Sequence, residues 1–156
     1  MTRPSNDVAQ ASPTKQFFVS MLTRDISLDD AILDLLDNCL DGAMRIAVGD
    51  KVDYAQHFVK IKLAKDQFSI EDNCGGIPWN LHKYAFHMGR EASRSPDPPG
   101  TVGVYGIGMK RAIFKMGKSC LISTQNKEHG YDVEITPEWI TNEEDWWLNV
   151  NPTKKS

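Results

Sequence analysis

Asp34-Leu35-Leu36-Asp37-Asn38-Cys39-Leu40-Asp41 is the stretch on which the reading of this chain turns. Upstream, Ser27 followed three residues later by Asp30 resembles a capping box, with aspartate in the place usually held by Glu or Gln. From there Ile32, Leu35, Leu36, Cys39, Leu40 and Ala43 keep helical spacing to about Val48, and Gly49-Asp50 ends the helix. Asp34, Asn38 and Asp41 then fall at i, i+4 and i+7, one polar stripe opposite the apolar residues. Asn38 offers the neutral oxygen that magnesium accepts beside water and phosphate, and Asp34 a carboxylate able to take a proton from an attacking water. Taken alone, the stretch fits a solvated acidic helix face better than a site. Gly42 weighs the other way: inside a helix it costs roughly 1 kcal/mol against alanine, and close approach of another group is a common reason to keep it.

Two further stretches complete the pattern. Glu71-Asp72-Asn73-Cys74-Gly75-Gly76-Ile77 follows a strand. Its aspartate can accept a hydrogen bond from an exocyclic amine such as that of adenine, and its glycines allow close backbone approach. An ordinary Asp-Asn-Gly-Gly turn would look the same. Gly103-Val104-Tyr105-Gly106-Ile107-Gly108-Met109-Lys110 opens a helix with free amides and a lysine, which suits phosphates. It is neither a Walker A loop nor a Rossmann fingerprint. In this order the three stretches describe a pocket for a magnesium nucleotide.

The rest of the chain predicts an α+β two-layer sandwich, with a mixed, mainly antiparallel sheet and helices on one face. Residues 1–15 read as a flexible arm, 16–150 as the domain and 151–156 as a polar tail. Phe17-Phe18-Val19 suggests a short edge strand. Val59 to Leu63 and Phe68 to Ile70 read as strands turning at Lys65-Asp66, and Trp79 to Met88 as a short helix. The stretch 89–105 holds Arg90, Ser93, Arg94, Ser95 and three prolines, and reads as a loop of the kind that covers phosphates. Gly106 to Met116 is helical; Cys120 to Ser123 and Tyr131 to Ile135 are strands joined near His129-Gly130. Trp146 and Trp147 either cap the core or face something outside the chain.

With 156 residues, 40% hydrophobic and 25% charged, the chain is one globular domain. A net charge of -3 gives no global attraction to nucleic acid or anionic membrane, leaving only a local patch for such a partner. Cys39, Cys74 and Cys120 lack metal-ligand spacing and read as reduced, half-buried thiols of a cytoplasmic protein. No apolar run approaches the roughly 20 residues of a membrane-spanning helix.

The three motifs resemble those of the Bergerat-fold (GHKL) ATPases, the superfamily of DNA gyrase, the large heat-shock chaperones, sensor histidine kinases and MutL. Asp34 to Asp41 is similar to the N box, Asp72 to Gly76 to the first glycine box, and Gly103 to Lys110 to the second. The wording is closest to the MutL and microrchidia (MORC) side. The resemblance implies ATP and Mg2+ as cofactors, Asp34 as general base and Asn38 as magnesium ligand. It places Asp72 on adenine, Gly76 and Ile77 beside the base, and Asp41 in the same pocket. Gly106, Gly108 and Lys110 would hold the phosphates, Gly103, Val104, Tyr105, Ile107 and Met109 would also bind the nucleotide, and 89–105 would be the ATP lid. It also implies lid closure coupled to dimerisation, here through the arm and lid, with nucleic acid reached only through other domains or a local patch.

Three departures bear on these expectations. Asp34 stands where the family has glutamate, and misplacement by about 1 Å can cost on the order of a hundredfold in rate, so slow hydrolysis is expected. Cys74 takes the place of the first glycine. At the C-terminal end no Gly-Thr followed by a β-branched strand is found, so the last strand of the fold and the following transducer domain are missing from the pattern; the chain resembles an excised or minimal ATP-binding domain. The alternatives are a non-hydrolysing ATP switch, a histidine-kinase-like domain (for which His57, His82, His87 and His129 offer no phosphoacceptor context), and an interaction domain that has lost ATP.

Overall fold

A computed structural model describes residues 11–49, 51–88 and 107–154. Helix α1 spans Lys15–Thr23 and helix α2 spans Leu28–Ile46. At the start of α2 the Asp30 N–H donates to Ser27 Oγ at 3.1 Å, and the Ser27 N–H donates to Asp30 Oδ2 at 3.1 Å. The shorter aspartate therefore closes the capping box. The helix stops at Ile46, a little before Val48, because Ala47 is already extended.

The Phe17-Phe18-Val19 strand is a correction: these residues lie inside α1. Thr14 caps that helix, its Oγ1 accepting from the Phe17 N–H at 3.2 Å. Tertiary contacts hold it. Lys15, the last residue of the expected arm, is buried, and its ammonium donates to the carbonyl oxygens of Trp139 at 2.6 Å and of Asp145. The same ammonium lies 3.9 Å from the centroid of the Trp139 ring, a cation–π contact. Trp146 packs edge-on against Phe18 and Trp139, so it caps this corner, whereas Trp147 is exposed.

Strands β1 (Val59–Leu63) and β2 (Phe68–Asp72) form the expected hairpin, with Ile61 opposite Ile70. A 3-10 turn, Trp79–Leu81, leads into α3 (His82–Phe86). Helix α4 (Ile107–Met116) packs on α2 and α1. Strands β3 (Cys120–Gln125) and β4 (Gly130–Ile135) pair antiparallel, and α5 (Pro137–Thr141) follows. The expected polar tail is also corrected: Val150–Thr153 is strand β5, paired antiparallel to β4. Pro152 is tolerated there because β5 is an edge strand of this sheet among the described residues.

The architecture is α+β, with all described strand pairs antiparallel in two sheets, β1-β2 and β3-β4-β5. Along β4, Tyr131, Val133 and Ile135 are buried while Glu134 is exposed, and along β3 Leu121, Ser123 and Gln125 are exposed. The helices accordingly lie on one face of the larger sheet. Its core joins Tyr131, Val133 and Ile135 to Met109, Ile113 and Phe114 of α4 and to Ile77 and Ala85. Among the described residues no helix is long and apolar enough to cross a membrane.

Candidate functional site

The polar stripe of α2 is turned inward. Asp41 is 6% exposed, the Asp34 side chain 16%, and Asn38 is half-buried. Leu40, expected on the apolar inner face, is exposed together with Leu33 and Met44. The solvated-face alternative is thereby corrected: a helix spends its buried face on carboxylates and an amide only when something polar meets them. Gly42 shows how closely α2 is packed. A Cβ there would stand 2.5 Å from the Cys74 carbonyl oxygen, so the close approach expected at this glycine is made by the chain itself.

Asp34 meets an arginine that the sequence reading did not single out. Arg111 of α4 donates from Nε to Asp34 Oδ2 at 2.6 Å and from Nη2 to Asp34 Oδ1 at 2.9 Å. This fork-on-carboxylate pairing is the strong, directional kind of ion pair. The pairing with Asp34 raises the Arg111 pKa further above its already high value. Both oxygens of the expected base therefore already accept a charged hydrogen bond.

At the other end, Asp72 closes β2 and is exposed. Its Oδ1 accepts from the Cys74 N–H at 2.7 Å, and its Oδ2 accepts from the Cys39 thiol at 3.5 Å. Burial, reinforced by Asp72, pushes the Cys39 thiol up to about 12, so it remains a donor at any ordinary pH. The turn beyond is held on every side. Asn73 accepts from the Phe58 N–H at 2.8 Å and donates to Gln56 O at 2.9 Å. Arg45 donates to Gly76 O at 3.0 Å, and the Ile77 N–H donates to Thr124 Oγ1 at 2.7 Å. Tyr131 OH donates to Ile77 O at 3.1 Å. Gly75 and Gly76 have φ of 94° and 64°, and a Cβ on Gly76 would lie 2.6 Å from Gln125 O.

The third stretch is described only from Ile107 onward; Gly103, Val104, Tyr105, Gly106 and the lid 89–105 lie outside the described residues. Ile107 is exposed, Met109 enters the core, and Lys110 is 4% exposed. Burial pushes the Lys110 ammonium down to about 8, still mostly charged at neutral pH. A Cβ on Gly108 would lie 3.5 Å from Asp34 Cγ, so the first turn of α4 and the stripe of α2 touch.

The structure thus brings Asp34, Asn38, Asp41, Asp72, Gly76, Gly108 and Lys110 onto the elements α2, the β2 turn and the start of α4. Arg111, Cys39, Thr124 and Arg45 join them without having been predicted as site residues. Arg111 carried one signal, its place beside Lys110; the others carried none. Asn38 supplies a test of fit for a bound magnesium nucleotide. Its Nδ2 is buried without a hydrogen-bond partner, a cost that an incoming acceptor such as a phosphate oxygen relieves; the amide and carboxylate oxygens suit magnesium, and the lysine suits phosphate. A separate cleft of about 300 Å³, lined by Trp79, Glu128, His129, Gly130, Pro152 and Thr153, contains none of the predicted residues.

No curated protein matches the chain. Residues 26–156 match the family described as histidine kinase-, DNA gyrase B-, and HSP90-like ATPase, a span that covers all three motifs and every described strand. With an inward acidic stripe, a braced Asp-Gly-Gly turn and a lysine-bearing helix start inside that span, the chain belongs to the histidine kinase-, DNA gyrase B- and HSP90-like ATPases.

Proposed function

We propose that this domain binds magnesium–ATP between α2, the β2 turn and α4, and hydrolyses it slowly. Asp72 accepts the adenine amine on lone pairs left free by Cys39 and Cys74, and Gly76 and Ile77 lie beside the base. Lys110, with the backbone of 103–109, holds the phosphates, and Asp34 orients the attacking water. Asn38 would hold the magnesium, with Asp41 in the same pocket; the metal, when bound, neutralises phosphate charge. In such a reaction positioning and electrostatics supply most of the rate. The observation that carries this reading is the inward polar stripe, with the unpartnered Asn38 Nδ2 at its middle. Closure of the 89–105 lid coupled to dimerisation, a MutL- or MORC-like setting acting on DNA or in defence, and a cytoplasmic location belong to the same proposal.

Calorimetry with ATP and magnesium tests it. Micromolar binding by the wild type and a loss of at least tenfold in Asp72→Asn are expected; no heat with the wild type ends the nucleotide reading. A second reading, an ATP switch that does not hydrolyse, draws on the Arg111 fork that occupies both Asp34 oxygens. Steady-state phosphate release separates the two. A fall of a hundredfold or more in Asp34→Asn supports hydrolysis through Asp34, and an unchanged rate supports the switch.

A further inference from the structure

We infer that Arg111 serves two anions in turn: it holds Asp34 when no nucleoside triphosphate is present, and moves to the terminal phosphate when one binds, uncovering the carboxylate. This rests on the ATP-binding reading and adds to it a residue that senses which nucleotide is bound.

The geometry supplies the reasons. Nε and Nη2 of Arg111 face the two oxygens of Asp34 as a planar fork, and the guanidinium fork fits carboxylate and phosphate equally well. The carboxylate lies against the first turn of α4, at 3.5 Å from where a Gly108 Cβ would be, so the chain's own anion already stands where the helix start favours negative charge. A terminal phosphate entering beside Lys110 carries more charge than the carboxylate and offers three oxygens to the same fork. The arginine is the partner free to move: its side chain is 39% exposed against 16% for Asp34, and it is long and flexible. Asp30, the other acid whose field reaches Arg111, is held in the capping box by Ser27 and does not compete for the fork.

The exchange has a chemical consequence. While the fork covers both oxygens, a water cannot present its proton to that side of Asp34. Once the fork moves, the same carboxylate can orient water and the guanidinium stabilises charge on the phosphate. A diphosphate, lacking the terminal group, leaves the pair closed. Arg111 is thus a positioning residue for Asp34 and a contact for the triphosphate.

The test is the ratio of ATP to ADP affinity, measured by calorimetry with magnesium, with melting temperatures taken in parallel. Asp34→Asn should release Arg111 and tighten ATP severalfold with ADP unchanged, and Arg111→Met should weaken ATP about tenfold with ADP unchanged. The gain from Asp34→Asn should vanish in the double variant. Arg111→Lys keeps the charge but loses the fork; it should fall between wild type and Arg111→Met, and it carries the test if the methionine variant does not fold. An ATP/ADP ratio that stays at the wild-type value in both Arg111 variants overturns the proposal, as does equal weakening of both nucleotides in step with a lowered melting temperature. If the wild type binds neither nucleotide, the ATP reading itself fails; binding with an unaltered ratio defeats only the role of Arg111.

Discussion

The two ends of the α2 stripe are built in opposite ways. The Asp72 turn is fastened by at least six hydrogen bonds from α2, the 54–58 segment, β3 and β4, and Gly76 is packed against the Gln125 carbonyl. At the Asp34 end the carboxylate is held by one arginine fork, between two helices that pack through Ala31, Leu35 and Ala112. A recognition site for a rigid, flat base gains from a frame that does not move, because ordering it on binding would cost affinity. A site where charge is transferred gains from a contact that can be exchanged. The contrast matches the division of labour proposed above, in which the Asp72 end selects and the Asp34 end responds.

Substitutions that attack the rigid end should therefore register in stability. Gly76→Ala should be the largest, about 3 kcal/mol, combining a left-handed backbone penalty with a clash against the Gln125 carbonyl. Urea unfolding measures it, and a loss below about 1 kcal/mol would mean the turn yields. Gly42→Ala should cost about 2 kcal/mol through contact with the Cys74 carbonyl, lowering the melting temperature by several degrees. A stable Gly42→Ala variant would remove the idea that α2 and the turn form one frame.

The responsive end should register in pH dependence. Lys110 is pushed down by burial to about 8 from 10.5. Below pH 8 it is charged in both folded and unfolded chains, and the burial penalty is fully present. Between about 8 and 10.5 the unfolded chain binds more protons, so this group makes stability rise with pH across that window. ATP affinity should move the other way, falling toward tenfold per pH unit above about 8 as the ammonium is lost, unless the bound phosphates hold the proton on. Titrating affinity from pH 7 to 9.5 in the wild type and in Lys110→Met checks this, and a parallel decline in both would assign it elsewhere. The smallest effect is expected for Tyr131→Phe, about 1 kcal/mol for the hydrogen bond to Ile77 O. It should leave the ATP/ADP ratio alone, since it braces only the rigid end.

Much of the fold was legible because its signals are local. The capping box at Ser27, the helical spacing from Ile32 to Ala43 and the turn at Lys65-Asp66 involve residues a few positions apart, and each forms. The alternation of β1 gave a strand, but not the half-buried one it suggests, since Val59, Ile61 and Leu63 are all exposed. Phe17 to Val19 misled because an apolar triplet suits a strand or a helix, and the contact that decides between them joins Lys15 to Trp139 and Asp145 far along the chain. Asn151-Pro152-Thr153 read as a tail because polar residues and a proline carry little strand signal; only the free edge of β4 makes them a strand.

The candidate site divides along the same line. Sequence alone determined which residue types stand at which spacing: a carboxylate, an amide and a second carboxylate on one stripe, an aspartate before two glycines, and a lysine at a helix start. Those are properties of short peptides, set by helical periodicity and by glycine's access to positive φ. Only the tertiary structure decided that the stripe faces inward, that Arg111 covers Asp34 and that Thr124 and Tyr131 brace the glycine turn. Each of these depends on which distant segment packs against which, and that choice is made by burial of the whole core rather than by any one stretch of chain.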